Sequence, residues 1–277
     1  MKPNGADHDR ANADTARHLS RYFDAHGEIW RAAYGRDRER WYEYHHLRRR
    51  EETALELIAA ERKGTAADLG CGAGHALVAM KRMGFARVVG IDLSEVMLAR
   101  ARERIEAEGL AEAIELVKGD ARHLDVIESQ SVDACIALGV IEYLEEDGAF
   151  LREVNRILRP GGAAVIQTRN YHCLYLRTRE IVHALVPRLR QPIAYREHKP
   201  GRFRSILPEF GFRVEAERFS HFHVLYPLNS IPLVRRMIRP LDNWLSKACE
   251  RFSTSRLSVL WASMYLVKVR KTSEPKA

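Results

Sequence analysis

The fold is decided by the stretch DLGCGAGH, residues 68–75. It follows a short apolar run and precedes a helical pattern, so it forms the turn between a first strand and a first helix. Glycines at alternating positions permit a tight turn and let a ligand approach the backbone, while the N–H groups of the helix start point at that ligand. With an acid before them, these glycines favour a ligand site over a purely structural turn.

Working outward from this turn, apolar strand-length runs alternate with longer amphipathic segments. We predict strands at 66–69, 87–92, 114–118, 132–138 and 163–168, and helices at 73–83, 94–108 and 147–158. Two further strands are predicted at 212–219 and 263–270, after a helix at 200–210. Continuous apolar strands between amphipathic helices predict an α/β protein whose parallel sheet is covered on both faces.

The flanking regions are less regular. Residues 15–62 show helical spacing of apolar and aromatic side chains, whereas residues 1–14 are expected to be loose. Residues 170–200 hold many arginines and are expected to be irregular. Within a long insertion at 220–262, apolar residues recur every three or four positions over 231–252, which predicts a helix kinked at Pro240.

Composition excludes several classes of protein. The chain has 277 residues, 46% of them hydrophobic and 30% charged, which is typical of a globular protein. The four cysteines show no zinc or disulfide spacing, and we find no secretory signal and no membrane-spanning run. We therefore expect a cytoplasmic protein.

The charge is unevenly distributed. Residues 1–170 hold 25 basic and 29 acidic residues, whereas residues 171–277 hold 20 basic and 8 acidic ones, so the whole net charge of +8 resides in the last part. A basic region favours nucleic acid, a membrane surface or an acidic substrate as partner, without choosing among them.

The glycine spacing distinguishes between cofactors. A dinucleotide fingerprint is G-x-G-x-x-G, whereas this loop is G-x-G-x-G, with His75 where the third glycine would stand. The run resembles motif I of the class I S-adenosylmethionine-dependent methyltransferases. Companion motifs follow in order: Asp92 matches the ribose-binding acid, Asp120 the adenine-binding segment, and residues 133–144 motif IV with the segment beside the methyl group.

The resemblance implies a Rossmann-like, seven-stranded, mostly parallel sheet with helices on both faces, plus an N-terminal helical lid and a C-terminal helical insertion. We expect the lid at 1–62, the cofactor-binding core at 63–170 and the rest of the sheet, with basic substrate-side insertions, at 171–277. The cofactor is expected to be S-adenosylmethionine and the product S-adenosylhomocysteine. The expected cofactor-binding residues are Asp68, Gly70, Cys71, Gly72, Gly74, Asp92, Leu93, Met97, Asp120, Ala121, Leu138, Tyr22 and Tyr34.

The residues after motif IV bear on the chemistry. Ubiquinone-type O-methyltransferases carry Glu-x-x-Glu-His there as a metal site, but this chain has Gly139 and Tyr143 at the first and last of these positions, so we predict metal independence. Glu142 either contacts the cofactor's amino group or lies in a loop. A hydroxyl acceptor needs a base, for which the candidates are His172, His198 and Tyr143.

We therefore predict a methyltransferase that acts on a small lipophilic or acidic acceptor. Oxygen is the favoured acceptor atom, with nitrogen or carbon as alternatives. A nucleic-acid methyltransferase ranks lower because no RNA-binding module or nucleobase motif is present. Further alternatives are a NAD-dependent dehydrogenase and a non-catalytic partner subunit. We favour a cap or dimer contact for residues 231–252 over a peripheral membrane contact. The protein is then a monomer or a homodimer.

Overall fold

A computed structural model describes residues 5–25, 45–61, 64–185, 195–222 and 248–275, with residues 237, 241, 244 and 245. In chain order, the helices are α1 Gly5–Ala25, α2 His45–Ile58, α3 His75–Arg82, α4 Glu95–Ala107, α5 Gly148–Ile157, α6 Leu174–Leu185 and α7 Pro200–Ile206. The strands are β1 Thr65–Leu69, β2 Arg87–Asp92, β3 Ile114–Lys118, β4 Val132–Ala137, β5 Leu158–Arg169, β6 Phe212–Phe222 and β7 Ala262–Lys271.

The strands form one seven-stranded sheet in the order β3-β2-β1-β4-β5-β7-β6. The first five strands pair in parallel, and β7 is inserted antiparallel between β5 and β6. The predicted Rossmann-like, mostly parallel sheet is therefore confirmed. Alternate residues of each strand face opposite sides, so the sheet has two buried faces.

Each face of the sheet has its own apolar core. On one side, Ile58 of α2, Leu77 of α3 and Leu98 of α4 pack against β1 and β2. On the other, Phe150 of α5 and Phe203 of α7 belong to the cluster that includes alternate residues of β4, β5 and β7. This division explains why the central strands β1, β2 and β4 consist mainly of apolar residues.

Three local predictions are wrong. Residues 1–14 were expected to be loose, yet α1 begins at Gly5, because a run rich in alanine has high helix propensity without an apolar stripe. Residues 170–200 were expected to be irregular, yet α6 occupies 174–185, where neither glycine nor proline interrupts the chain. The fifth strand begins at Leu158 rather than 163, with a register shift opposite Val132 and Ala134.

Two predictions lie mainly or wholly outside the described residues. These are Tyr34 as a cofactor contact and most of the kinked helix over 231–252. Within the described ranges, no helix has both the length and the apolar character to cross a membrane.

The carboxyl ends of the parallel strands meet at one edge of the sheet. The chain leaves β1 toward β2 and β3 on one side, and returns through β4 and β5 on the other. A crevice forms above such a reversal of strand order, and it is where open α/β sheets bind ligands.

Candidate functional site

A cavity of about 200 Å³ lies at this strand reversal. It runs from the glycine-rich loop across the ends of β2 and β3 to the ends of β4 and β5. Its lining consists of Leu19, Phe23, Leu47, Arg50, Gly70, Gly72, Asp92, Leu93, Met97, Gly119, Asp120, Ala121, Leu138, Gly139, Val140, Glu142, Tyr143, Leu144, Arg169 and Met264.

The glycine-rich loop is held against β2 by its own backbone. The N–H groups of Gly70 and Cys71 both donate to the carbonyl of Ile91, at 2.7 and 2.9 Å. Gly70 and Gly72 have φ angles of +75° and +52°, which side-chain-bearing residues rarely adopt. Because neither glycine carries a Cβ, the loop leaves backbone open to the cavity.

Gly74 serves packing instead of lining the cavity. A Cβ built on it would lie 3.0 Å from the Cβ of Ala101, so the missing side chain lets α4 approach the start of α3. Cys71 is also buried outside the cavity lining. Both were expected to contact the cofactor; neither is among the lining residues, and the two contacts stay predictions.

Asp92 connects the glycine loop to the helix after β2. One carboxylate oxygen accepts from Gly72 N at 2.8 Å and the other from Ser94 N at 2.9 Å. Ser94 is in turn the N-cap of α4 and accepts from Met97 N. Burial raises the pKa of Asp92, although the backbone hydrogen bonds oppose that shift. Its remaining lone pairs are available to a pair of ligand hydroxyls.

Asp120 lies after β3 and is held by Arg122. The guanidinium donates from Nε at 3.0 Å and from Nη2 at 2.6 Å, and the backbone N–H of Arg122 adds a third bond. Burial alone would raise the pKa of Asp120, but the hydrogen bonds and charge of Arg122 lower it. The carboxylate is therefore ionised and fixed, as an acceptor for a ligand amine should be.

Asp68 lies beneath the loop, only 4% exposed, and its side chain makes no hydrogen bond with the described residues. Burial raises its pKa well above the ordinary value, with further contributions from Glu51 and Asp92, while Arg50 opposes the shift. A carboxylate without a partner below a ligand cavity is suited to attracting a ligand cation.

The N-terminal helix α1 closes one side of the cavity. Leu19 and Phe23 line it, while Ser20 Oγ donates to Leu93 O at 3.2 Å and Ser94 Oγ donates to Asp24 at 2.5 Å. Tyr22 was expected to contact the cofactor. It packs edge-to-face on Phe23 instead and is not among the lining residues.

The wall above β4 and β5 carries buried charge. Arg50 Nη1 donates to Gln167 Oε1 at 2.9 Å, and Gln167 Nε2 donates to Glu142 at 3.1 Å. Glu142 is 3% exposed, and burial raises its pKa, with Arg169 and Arg50 opposing the shift. A carboxyl group with a raised pKa inside a cavity is a candidate acid or base.

The three predicted bases occupy different environments. Tyr143 lines the cavity, and burial raises the pKa of its hydroxyl. His198 lies outside the lining, where its Nε2 bonds Asp147 at 3.0 Å. His172 is exposed at the start of α6, against the edge of Tyr171. All three roles stay predictions, and the structure brings only Tyr143 to the cavity.

Several lining residues escaped the sequence interpretation. Arg50, Arg169 and Met264 reach the cavity only through tertiary packing, and Met264 does so because it pairs with Arg169 across β5 and β7. Phe23 could have been found from the sequence, because it directly follows the predicted residue Tyr22 in the same turn of α1.

Asp92 and Asp120 both line the cavity, at the ends of β2 and β3, whereas Gly74, the third glycine of the loop, packs against Ala101. The strand order, the glycine loop and its two acids are similar to those of the class I S-adenosylmethionine-dependent methyltransferases. More particularly, residues 67–166 match the family model described as a methyltransferase domain.

Curated relatives agree with that class. The chain is 36% identical to a phosphatidylethanolamine N-methyltransferase of Cereibacter sphaeroides over 117 residues, which are 42% of this chain and 55% of the relative. It is 34% identical to a ubiquinone biosynthesis O-methyltransferase of Caulobacter vibrioides over 38% of this chain and 41% of the relative. The chain thus spans about half the length of these relatives.

The fold also matches magnesium protoporphyrin IX methyltransferase from Synechocystis, which was solved with bound S-adenosylhomocysteine. The TM-score is 0.65 at 16% identity, over 93% of this chain and 99% of that one. This likeness supports the fold.

We expect the affinity for S-adenosylhomocysteine to fall as the pH is lowered. The pKa values of Asp68 and Asp92 are raised by burial, and the ligand's ammonium and ribose hydroxyls favour both ionised carboxylates. Below these pKa values both carboxyl groups are protonated in the free protein, so ligand binding must release a proton from each. The affinity then falls about tenfold per pH unit for each carboxyl group. Calorimetry from about pH 8 to about pH 5 measures how steeply the affinity depends on pH, and Asp68→Asn should make that dependence less steep. A flat profile would contradict the expectation.

Proposed function

We propose that this protein transfers the methyl group of S-adenosylmethionine to an oxygen atom of a small lipophilic or acidic acceptor, without a metal ion. One observation supports this most: a single cavity joins the nucleoside end, at Asp92 and Asp120, to a buried wall formed by Glu142, Tyr143 and Arg169. The first end fits the cofactor, and the second leaves space for an acceptor beside the transferred group.

The chain's own residues would act mainly by positioning. The bound cofactor supplies an electrophilic methyl group, so the protein needs to align an acceptor and exclude water. Leu19 and Phe23 of α1 cover the cavity and reduce solvent access. For a hydroxyl acceptor, Glu142 is suited to accept the proton, because its raised pKa brings it nearer to neutral pH and Gln167 fixes its orientation. Tyr143 is the alternative base.

The relatives' names support a small acceptor and leave its reacting atom open. One relative is named as a phosphatidylethanolamine N-methyltransferase and another as a ubiquinone biosynthesis O-methyltransferase. The structural neighbour is named as a magnesium protoporphyrin IX methyltransferase. Nitrogen and carbon acceptors therefore stay as alternatives. A nucleic-acid acceptor gains no support from these names.

Calorimetry with S-adenosylhomocysteine and with NAD in parallel tests the cofactor. We expect binding of the first and none of the second, and the opposite result would favour a dehydrogenase. Transfer of a labelled methyl group from S-adenosylmethionine to an acceptor panel then tests catalysis, and addition of EDTA should leave the rate unchanged. Transfer to none of a broad panel would favour a non-catalytic partner subunit.

We further propose that Arg50 binds the cofactor's carboxylate. Its guanidinium lines the cavity, lies 3.1 Å from the position of a Cβ on Gly139 and acts electrostatically on Asp68 beneath the glycine loop. This places the positive charge on the glycine-loop side, where the amino-acid tail of a nucleoside-bound cofactor ends.

Arg50→Leu should weaken S-adenosylhomocysteine binding about 10- to 100-fold, because one charge-assisted bidentate contact is lost. The affinity for 5′-methylthioadenosine, which has no amino-acid tail, should not change. Arg48→Leu is the matched control, since Arg48 is an exposed arginine on the same helix, paired with Glu52. Equal losses for both ligands would assign Arg50 to the fold instead.

The role of residues 231–252 stays a proposal. The described members Met237, Leu241 and Trp244 are exposed, with 76%, 52% and 64% of their surface accessible. Such apolar surface suits a cap over the acceptor, a contact in a homodimer or a peripheral membrane contact. We retain the cap or dimer as the favoured reading, in a cytoplasmic protein.

A further inference from the structure

Arg169 is a charged side chain that has no counter-ion in an ion pair among the described residues. It is the last residue of β5 and lines the cavity. Its guanidinium lies over the ring of Tyr195, with Cζ 3.8 Å from the ring centroid. It forms no ion pair and no side-chain hydrogen bond with any described residue, and its Nε atom is buried without a hydrogen-bond partner.

The backbone holds Arg169 firmly in this position. Its carbonyl accepts from His198 N at 2.8 Å, and the next side chain, Asn170, donates to the carbonyls of Val259 and Ala262 at 2.6 and 2.7 Å. The guanidinium is therefore anchored at its base and stacked along one face. The N–H donors lie along the edge of the guanidinium, in its plane, so stacking on a ring does not use them.

The segment that carries Tyr195 is fixed to the same wall. The N–H of Arg196 donates to the carbonyl of Glu142 at 2.6 Å, and His198 bonds Asp147 at 3.0 Å. These two contacts tie residues 195–198 to the loop after β4. The stacking of Arg169 is thus preorganised.

No charged side chain in the described part of the cavity wall forms an ion pair with Arg169. Glu142 is close enough for Arg169 to lower its pKa, yet it forms no ion pair with it, and its carboxylate accepts from Gln167. Arg50 is held by Gln167 as well. A cation in a largely apolar cavity requires an anion for full stabilisation.

The position of Arg169 separates it from the cofactor end. Asp92 and Asp120 follow β2 and β3, whereas Arg169 follows β5, on the far side of β1 and β4 in the sheet. Beside the polar Glu142 and Tyr143, the cavity lining also includes the apolar side chains of Leu47, Leu144 and Met264. The partner of Arg169 should therefore be an anionic group on an acceptor with an apolar body.

We propose that Arg169 binds the carboxylate of the methyl acceptor, and that the acceptor is a monocarboxylic acid with an apolar body. The proposal rests on the proposed function, because it assumes that an acceptor enters beside the cofactor. A guanidinium edge matches the two oxygens of a carboxylate. A phosphate dianion fits less well, because it carries about twice the charge of a carboxylate, whereas one guanidinium supplies a single positive charge.

The test measures binding of octanoate to the protein saturated with S-adenosylhomocysteine, by calorimetry or ligand-observed NMR. Octanamide has the same body without charge, and octyl phosphate carries the other oxyanion. We expect octanoate to bind at least about ten times more tightly than octanamide and more tightly than octyl phosphate. Arg169→Leu should abolish the preference for octanoate over octanamide, and Arg169→Lys should restore part of it. Arg152→Leu is the matched control, because Arg152 also stacks on an aromatic ring, that of Phe210, outside the cavity lining.

The outcomes are distinguishable. No binding of S-adenosylhomocysteine to the wild type would remove the proposed function itself. Normal binding of S-adenosylhomocysteine, with octanoate unbound or bound equally by the Arg169→Leu variant, would overturn only this inference. Loss of S-adenosylhomocysteine affinity in Arg169→Leu would assign the arginine to the cofactor, and preference for octyl phosphate would overturn the choice of a carboxylate.

Discussion

Asp92→Ala should lower the affinity for S-adenosylhomocysteine at least about 100-fold, which corresponds to about 3 kcal/mol. The substitution removes two functions of the Asp92 carboxylate at once. The carboxylate would accept the ribose hydroxyls, and it already accepts from the N–H groups of Gly72 and Ser94, which shape the loop around the ligand. Calorimetry of the purified variant measures the affinity, and circular dichroism checks that the sheet is intact.

Asp133→Ala is the control for this expectation. Asp133 also accepts a backbone hydrogen bond, from Thr65 N at 2.7 Å, and pairs with Arg159, but it does not line the cavity. Its loss should cost stability and leave cofactor affinity unchanged. If Asp92→Ala and Asp133→Ala behaved alike, the cofactor would have been misplaced.

Buried parallel strands were the most predictable part of this fold. The bounds of β2 and β3 agree with the prediction, because each strand is a short run that ends at a helix or turn signal. The glycine loop, Asp92 and Asp120 follow those strands directly, so their common edge could be inferred from order alone. Local sequence determined these positions because no distant segment is needed to define them.

The acceptor wall could not be predicted for the opposite reason. Arg50 is the last of three consecutive arginines in a charged helix, and nothing in that pattern distinguishes it from exposed neighbours such as Arg48. Arg169 becomes significant only when Tyr195 packs against it, and β7 must first insert between β5 and β6 to bring Met264 alongside. These contacts join segments far apart in sequence, so they depend on topology.

The role of His198 also depends on tertiary contacts that the sequence does not reveal. Its residue type and position after the core suggested a base, whereas in the structure its ring nitrogen Nε2 bonds Asp147 and supports the segment 195–198. A histidine bonded to a carboxylate is compatible with catalysis or with structure. Which of these applies depends on the cavity, whose lining does not include this ring.

Gly72→Val should reduce the affinity for S-adenosylhomocysteine at least about 100-fold while the protein still folds. The φ angle of +52° costs a β-branched residue about 1–2 kcal/mol of backbone strain. The new Cβ meets only the Met97 side chain, at 3.4 Å, so the packing of the fold is hardly disturbed. The side chain must then extend from a loop that lines the cavity, where it would occupy cofactor volume.

Gly109→Val separates backbone strain from steric exclusion. Gly109 has a φ of +68° and no atom within 4 Å of a Cβ built on it, and it lies outside the cavity lining. Both variants should lower the thermal midpoint by similar amounts, because both carry the same kind of strain. Only Gly72→Val should lose the cofactor, since only there does the added side chain stand in the ligand's place. Equal affinities in the two variants would show that the glycine loop does not contact the cofactor.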